Sequence, residues 1–290
     1  MNLTRHAKII EIMEKKNVIS IKELAEKLNC TEMTVRRNLD ELQKKNFVRR
    51  EHGYAYLLAP AKSTDYYEEI QENAMEKKAI AAAALSYLKP GCSVCLDSGT
   101  TIQQLVEMIP EDLPLSVITP SLTAALSLSS KKEVQVLLPG GFLHHSNRTL
   151  LLDDVHALQK YQVDLAFLSC RSFQVPGGAF EHSQTMTTTK RALASIASRR
   201  ILLLDYSKWN VSSICNSITL DHLDLIITDN KAPEKSVREA AELGKEILIV
   251  DPASGQVEEH FNLQKEQRRA PVHLILNRSP LFSLCFFFFA

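Results

Sequence analysis

Apolar residues recur with helical spacing from residue 7 to residue 42. Ala7, Ile10 and Met13 fall at i, i+3 and i+6, with Ile9 widening the stripe, and predict a helix over 4–16. A second helix starts at Ser20. Ser20-Ile21-Lys22-Glu23 is a capping box, Ile19 can staple against Leu24, and Ile21, Leu24, Ala25 and Leu28 form one apolar face. Asn29-Cys30 turns the chain, and Thr31 can cap a third helix in which Val35, Leu39 and Leu42 point inward. The outer face of that helix carries Glu32, Met33, Arg36, Arg37 and Lys44, with Thr34 near its start. Phe47 to Leu57 reads as two short strands about a turn near Gly53, a wing made basic by Arg49, Arg50 and His52.

From residue 76 onward the pattern alternates between helix and short apolar run. Lys77 to Leu88 is an Ala-rich helix. The runs 93–96, 115–118, 134–138, 165–168, 201–204, 225–227 and 247–250 are β-branched or Leu-rich, as strands buried on both faces of a parallel sheet are. Helical segments such as 121–128 and 188–198 lie between them, so the chain predicts a doubly wound α/β domain over 76–253. A winged-helix head over 1–58 precedes it, joined by a linker over 59–75 whose acidic part resumes a helix. In open α/β sheets ligands sit beyond the carboxyl ends of strands. Those ends gather Asp97-Ser98-Gly99-Thr100-Thr101, Gly140-Gly141, Asp205 and Lys208, and Asp229. The turn at Ser98–Thr101, leading into a helix at 102–108, can aim backbone N–H groups and hydroxyls at an anion. The residues equally fit an ordinary capped turn. A Walker loop is excluded, because its lysine spacing is absent.

The chain of 290 residues is 45% apolar and 23% charged, values of ordinary globular protein that exclude collagen-like and fully disordered classes. Lys+Arg and Asp+Glu are both 34, so any nucleic-acid role must be local. Charge is in fact uneven. Residues 1–58 hold twelve basic and eight acidic side chains, and the remainder has an acidic surplus of four. A basic head on an acidic body suits DNA contact by the head. Hydroxyls of Thr31 and Thr34 near a helix N-terminus can hold phosphate, and Arg36 or Arg37 can read guanine in the major groove. Lys44, Arg49, Arg50 and His52 extend the basic face. A small helical domain with a solvated Arg face, or a winged helix that binds protein, are the competing readings; agreement of caps, charge and wing disfavours both.

The opening Met1-Asn2-Leu3-Thr4-Arg5-His6 lacks a secretory core, and no run is long enough to cross a membrane, so a cytoplasmic protein without membrane contact is expected. Six cysteines lie far apart apart from Cys92 and Cys95, whose strand context and missing partner pair predict buried thiols and no metal site. Only nine glycines are present, and no cofactor is expected.

The head resembles the N-terminal domain of the DeoR family of bacterial transcription regulators. The likeness is carried by Thr34-Val35-Arg36-Arg37-Asn38-Leu39, close to T-[IV]-R-R-D-L, and by Arg50-Glu51-His52-Gly53-Tyr54-Ala55, close to R-x-H-G-G-A. Asn38 replaces an Asp and Tyr54 a Gly. The body resembles the DeoR sensor domain, whose fold is similar to ribose-5-phosphate isomerase, over about 77–251. The matching pieces are Lys77-x-x-Ile80-Ala81, Leu96-Asp97-Ser98-Gly99-Thr100-Thr101, Val117 to Leu122, Leu138-Pro139-Gly140-Gly141, Lys190-Arg191-Ala192 and Asp205-Tyr206-Ser207-Lys208-Trp209. The resemblance implies a homodimeric or homotetrameric regulator, expected to be a repressor of a carbohydrate operon, that binds double-stranded operator DNA and is modulated by a phosphorylated sugar. It implies that Ser98–Thr101 hold the phosphate, with Lys208, Lys190 and Lys77 nearby and Asp97, Gly140, Gly141 and Asp205 around the ligand. Pro120 stands for an Asn, and departures at Leu152, Ser169–Ser172 and Met186 fall around this pocket and point to an unusual ligand or a weakened sensor.

The alternative is a sugar-phosphate isomerase or deaminase, with Asp97, Asp205 or Asp229 as base. The sequence offers no pair of tuned groups for it, and no catalytic residue is assigned. Residues 254–290, ending in a Phe-rich run, are expected to be an atypical, disordered tail without function.

Overall fold

The computed structural model of the chain describes residues 2–14, 16, 18–44, 48–51, 53–57, 66–211 and 213–261. The head begins with α1 (Asn2–Glu14), which buries Ile9, Ile10 and Met13. Strand β1 (Val18–Ser20) ends on Ser20, whose Oγ accepts from Glu23 N at 3.1 Å and opens α2 (Ile21–Lys27). Asn29 turns the chain with φ of 50°. Thr31 Oγ1 accepts from Thr34 N at 3.3 Å at the start of α3 (Glu32–Lys44), and Val35, Leu39 and Leu42 are fully buried. Each such side chain contributes about 1.5–3 kcal/mol of burial. The wing is β2 (Val48–Glu51) and β3 (Tyr54–Leu57). The left-handed position of its turn is Gly53, at φ 83°, and Tyr54, which stands where the DeoR pattern has a second glycine, opens a strand. The wing has three strands, in order β1-β3-β2, where the sequence predicts two. Three residues are too few to leave an alternation signal, and Ile19 joins the core at 2% exposure.

The body starts with α4 (Tyr66–Gln71) and α5 (Ala74–Leu85). Then follow β4 (Ser93–Leu96), α6 (Thr100–Met108), β5 (Leu115–Ile118), α7 (Leu122–Leu128), β6 (Val134–Leu137), and the hairpin β7 (Phe142–His144) and β8 (Thr149–Leu151). Next come β9 (Val163–Leu168), β10 (Ser172–Gln174), β11 (Gly178–Glu181), α8 (Gln184–Ser195) and β12 (Ala197–Leu203). The last described elements are β13 (Cys215–Ile218), β14 (Leu225–Asp229), α9 (Glu234–Glu242), β15 (Glu246–Val250) and β16 (Val257–Phe261).

Eight strands form one sheet in the order β16-β15-β14-β12-β9-β4-β5-β6, parallel throughout except for β16 on β15. Alternate residues feed two cores. Cys95, Ala166, Leu168 and Leu202 pack with α8 and α9 on one face, while Val94, Leu96, Phe167 and Ile201 pack with α5, α6 and α7 on the other. This is the doubly wound α/β architecture expected from the unbroken apolar runs. From β4 the chain winds outward through β5 and β6; from β9 it winds the other way through β12, β14 and β15. The switch point between β4 and β9 leaves a crevice at their carboxyl ends.

Two expectations change. The helix predicted over 188–198 ends at Ser195, because Ala197 already pairs with Val163 in β12. Residues 257–261, assigned to the tail, form β16 against β15. Their charged sequence hides a strand because four of the five residues are exposed at the sheet edge. The Phe-rich run 280–290 lies outside the described residues.

Candidate functional site

The outer face of α3 and the wing form the first site. Arg37 is exposed and has no ion-pair partner among the described residues, and Met33 beside it is 80% exposed. A shallow groove here is lined by Arg5, Thr31, Met33, Thr34, Arg37 and Glu41. Arg36 lies 3.3 Å from Glu32, one helical turn back, in an exposed pair that leaves its guanidinium free to exchange partners. Arg49 pairs with Glu51 at 3.2 Å and covers the Tyr56 ring at 5.5 Å. Arg50 is placed differently. It reaches back to Asp40 at 2.6 Å and donates to the Arg36 carbonyl at 3.4 Å, so it ties the wing to α3. Asn38 is buried and donates to the Thr34 carbonyl at 2.7 Å. The Lys44 side chain and His52 lie outside the described residues.

The second site is the switch-point crevice, a small cleft of about 90 Å³ open to solvent. Ser98, Gly99, Thr100 and Thr101 come from the end of β4, Ser169, Cys170 and Arg171 from β9, and Asp205 and Lys208 from β12. Tyr66 and Glu69 of α4 form a roof, and Asn147, Glu181 and Met186 complete the wall. Gly99 sits at the N-cap of α6, and no side chain caps that first turn. Its role is close approach: a Cβ there would lie 2.6 Å from Ser169 Oγ. The unused N–H groups of a helix start, with the dipole behind them, favour an anion.

Asp205 is fully buried. Its Oδ1 accepts from Asn73 Nδ2 at 2.9 Å, Ser207 N at 3.0 Å and Ser207 Oγ at 2.5 Å. Its Oδ2 is buried without a partner, on a carboxylate that lines the cleft. A buried acceptor left unmade is costly, and a ligand hydroxyl would satisfy it.

Several residues assigned to the ligand by sequence are structural here. Lys190, 2% exposed, is held by Asp97 Oδ2 at 2.8 Å, Glu181 Oε1 at 2.7 Å and the Ser169 carbonyl. Burial opposes its charge, but the two carboxylates outweigh burial and raise its pKa. Burial in turn raises that of Glu181. Asp97 is spent on Lys190, Ser98 N and Ser169. Lys77 is 1% exposed and donates to the Glu69 carbonyl; burial lowers its pKa. Gly140 and Gly141 lie off the cleft wall, and a Cβ on Gly141 would strike the Leu151 carbonyl at 2.1 Å.

Sequence reasoning missed Tyr66, Glu69, Asn147 and Glu181, and saw Arg171 only as a departure. Arg171 Nε donates to His182 Nε2 at 3.0 Å, and His182 Nδ1 shares a hydrogen bond of 2.8 Å with Ser213 Oγ. Burial, with Arg171 and Lys208 adding to it, pushes the His182 pKa down to about 4, so the ring is a neutral acceptor at pH 7. Asp229, the third carboxylate noted in the sequence, accepts from Tyr206 N at 2.7 Å and Lys231 N at 3.0 Å. The thiol of Cys95 is buried, and burial pushes its pKa up to about 12. Among the described residues no helix is long and apolar enough to cross a membrane.

Residues 5–60 match the DeoR-like helix-turn-helix domain, and residues 72–230 match the DeoR C terminal sensor domain. The chain belongs to the DeoR family. It is 32% identical over 236 residues to the uncharacterized HTH-type transcriptional regulator YulB of Bacillus subtilis, covering 81% of this chain and 91% of that one. It is 30% identical over 255 residues to the HTH-type transcriptional regulator GolR of Listeria innocua, covering 85% and 98%. The glycerol-3-phosphate regulon repressor of Escherichia coli K12 is 25% identical over 230 residues, covering 79% and 91%. Among solved structures, ribose 5-phosphate isomerase A of Methanocaldococcus jannaschii overlaps 48% of this chain and 55% of its own, at 18% identity and a TM-score of 0.36. The DeoR helix-turn-helix match spans α1 to β3, and the DeoR sensor match holds every strand end that meets at the cleft.

Proposed function

We propose that this DeoR-family regulator is a repressor of a carbohydrate-related operon, released or tuned by a phosphorylated sugar bound in the switch-point cleft. Arg36 and Arg37 read base edges from the major groove, Thr31 and Thr34 meet backbone phosphate, and Lys44, Arg49 and His52 add contacts from the flank and wing. Arg50 serves that reading by holding the wing. The ligand phosphate lies at Ser98–Thr101, Asp205 accepts a sugar hydroxyl, and Lys208 meets the ligand from the same cleft. Two or four copies act together on a repeated operator, in the cytoplasm. Ligand binding prefers one arrangement of the assembly and shifts DNA affinity by that difference.

The observation that carries this reading is the unpartnered buried oxygen of Asp205, on a carboxylate that lines the same cleft as the uncapped start of α6. An enzyme of this fold would need a base and an acid at the same cleft. Of the three aspartates the sequence offers as base, Asp97 and Asp229 are already engaged by lysine and backbone donors, which leaves Asp205.

The test is a gel shift on DNA upstream of the chain's own gene, at fixed salt, with and without a panel of sugar phosphates. Specific binding that one sugar phosphate releases is the expected result. Specific binding that ignores the whole panel would remove the sensor reading, and turnover of a panel member without specific DNA binding would replace the regulator with an enzyme.

A further inference from the structure

Besides the start of α6, the cleft is lined by a cluster of charged side chains. Glu69 Oε1 lies 3.7 Å from Arg171 Nη1 and 3.6 Å from Lys208 Nζ. Both separations exceed the 2.7–2.9 Å or so of a charge-assisted hydrogen bond. Two cations therefore share one carboxylate that fully satisfies neither. For Lys208, Glu69 is the one carboxylate within ion-pair distance among the described residues.

The cations are fixed, and the carboxylate is carried on a short element. Arg171 is held in place by neutral His182, and Lys208 follows the end of β12 in a turn capped by Asp205. Glu69 belongs to α4, six residues long, which is anchored by the Lys77 contact to the Glu69 carbonyl and by Tyr66 Oη, 2.8 Å from Thr123 Oγ1. All three side chains line the cleft, and none is fully buried.

We propose that Arg171 and Lys208 form a second anion subsite, occupied by Glu69 in the ligand-free protein, so that the preferred effector is a phosphosugar bearing a second anionic group. This rests on the cleft being the effector site. The phosphate goes to the α6 start, and a carboxylate or second phosphate at the other end displaces Glu69. Either group offers at least two oxygens and can reach both cations, which one distant carboxylate does not. Displacement also removes one of the contacts that hold α4, the first described element after the head.

The test is calorimetric titration of the full chain with ligands that differ in charge at one end. Glycerol 3-phosphate is compared with 3-phosphoglycerate, and glucose 6-phosphate with 6-phosphogluconate and fructose 1,6-bisphosphate. In at least one length series the doubly anionic members bind roughly tenfold tighter or better, the scale of one charge-assisted hydrogen bond. The carboxylate and phosphate members tell the two chemistries apart. R171Q abolishes that preference while leaving the singly charged member unchanged, and E69Q strengthens the doubly charged member alone. Equal binding of singly and doubly charged members, or equal weakening of both by R171Q, overturns the second subsite and leaves the cleft as effector site. No binding by any ligand counts against the cleft reading, and against this proposal with it. Should R171Q fail to fold, the selective gain in E69Q decides.

Discussion

Arg50 Nη2 lies 2.6 Å from Asp40 Oδ1, so a wing strand is fastened to the middle of the helix whose outer face carries Arg36 and Arg37. Two neighbouring basic motifs thus have different work. Arg37→Ala is expected to weaken operator binding by about 1–3 kcal/mol if it pairs with a base, with no change in melting temperature. Arg50→Ala is expected to lower head stability by about 1 kcal/mol, since the pair is partly exposed. Fluorescence anisotropy at constant salt, run beside thermal melts, separates them. Full affinity in the Arg37 variant would remove that residue from the DNA face.

Lys208→Ala should keep operator affinity and lose the response to effector. A gel shift over an effector titration reads both, and a variant that still responds shows that the ligand sits elsewhere.

Lys190→Met should behave as a folding variant. It leaves Asp97 and Glu181 buried together with no cation between them, which costs about 3–5 kcal/mol. Urea unfolding of the full chain measures the loss. A near-unchanged midpoint would mean the lysine is not the lock its geometry describes.

His182 gives the body an acid-sensitive contact. Its folded pKa of about 4 lies below the ordinary 6.5 of the unfolded chain. Between those values only the unfolded chain takes up the proton, so stability falls as pH drops from 6.5 towards 4. Above 6.5 this group adds no pH dependence. Linkage puts the full effect at about 3 kcal/mol at most. Denaturation midpoints of the protein and of H182Q across this range should converge towards pH 4, because the variant has no such proton to bind.

Gly99→Ala should distort the β4–α6 turn, because its Cβ meets Ser169 Oγ at 2.6 Å. Ser169→Gly in the same chain removes that neighbour and should recover effector binding in part. Equal damage in the single and double variants would show that the contact is not what demands glycine.

Much of the head can be read from its sequence because its determinants are local. Ser20 and Glu23, or Thr31 and Thr34, are three residues apart and meet across one helical turn. The sheet strands are equally plain, since burial on both faces makes each an uninterrupted apolar run. The cleft is harder. Ser98–Thr101 and Lys208 follow strand ends and so fall on its wall, but Glu69 reaches it only through the path of α4. Lys190 has the type and position of a ligand residue. Its two carboxylates arrive from β4 and β11, and nothing near it in the sequence announces them. Desolvation depends on the whole fold, so a buried lysine and a cleft lysine look alike along the chain. The small sheet of β10, β11 and β13 escapes for another reason: its strands are three or four residues long and mixed in polarity.

The pairing of β4 with β9 also orders events in time. Ser93 and Asp164, 71 positions apart, bond where these strands meet, and the cleft exists only once they have closed. Closing so long a loop carries an entropic cost before any contact repays it, and topologies built this way form slowly. The head's closures are shorter, the farthest strand pairing there joining Val18 to Tyr56 and the hairpin joining neighbouring strands. Chains are made from the N-terminus, and domains fold largely as units. A newly synthesised copy therefore holds an ordered head before it holds the site that would govern it.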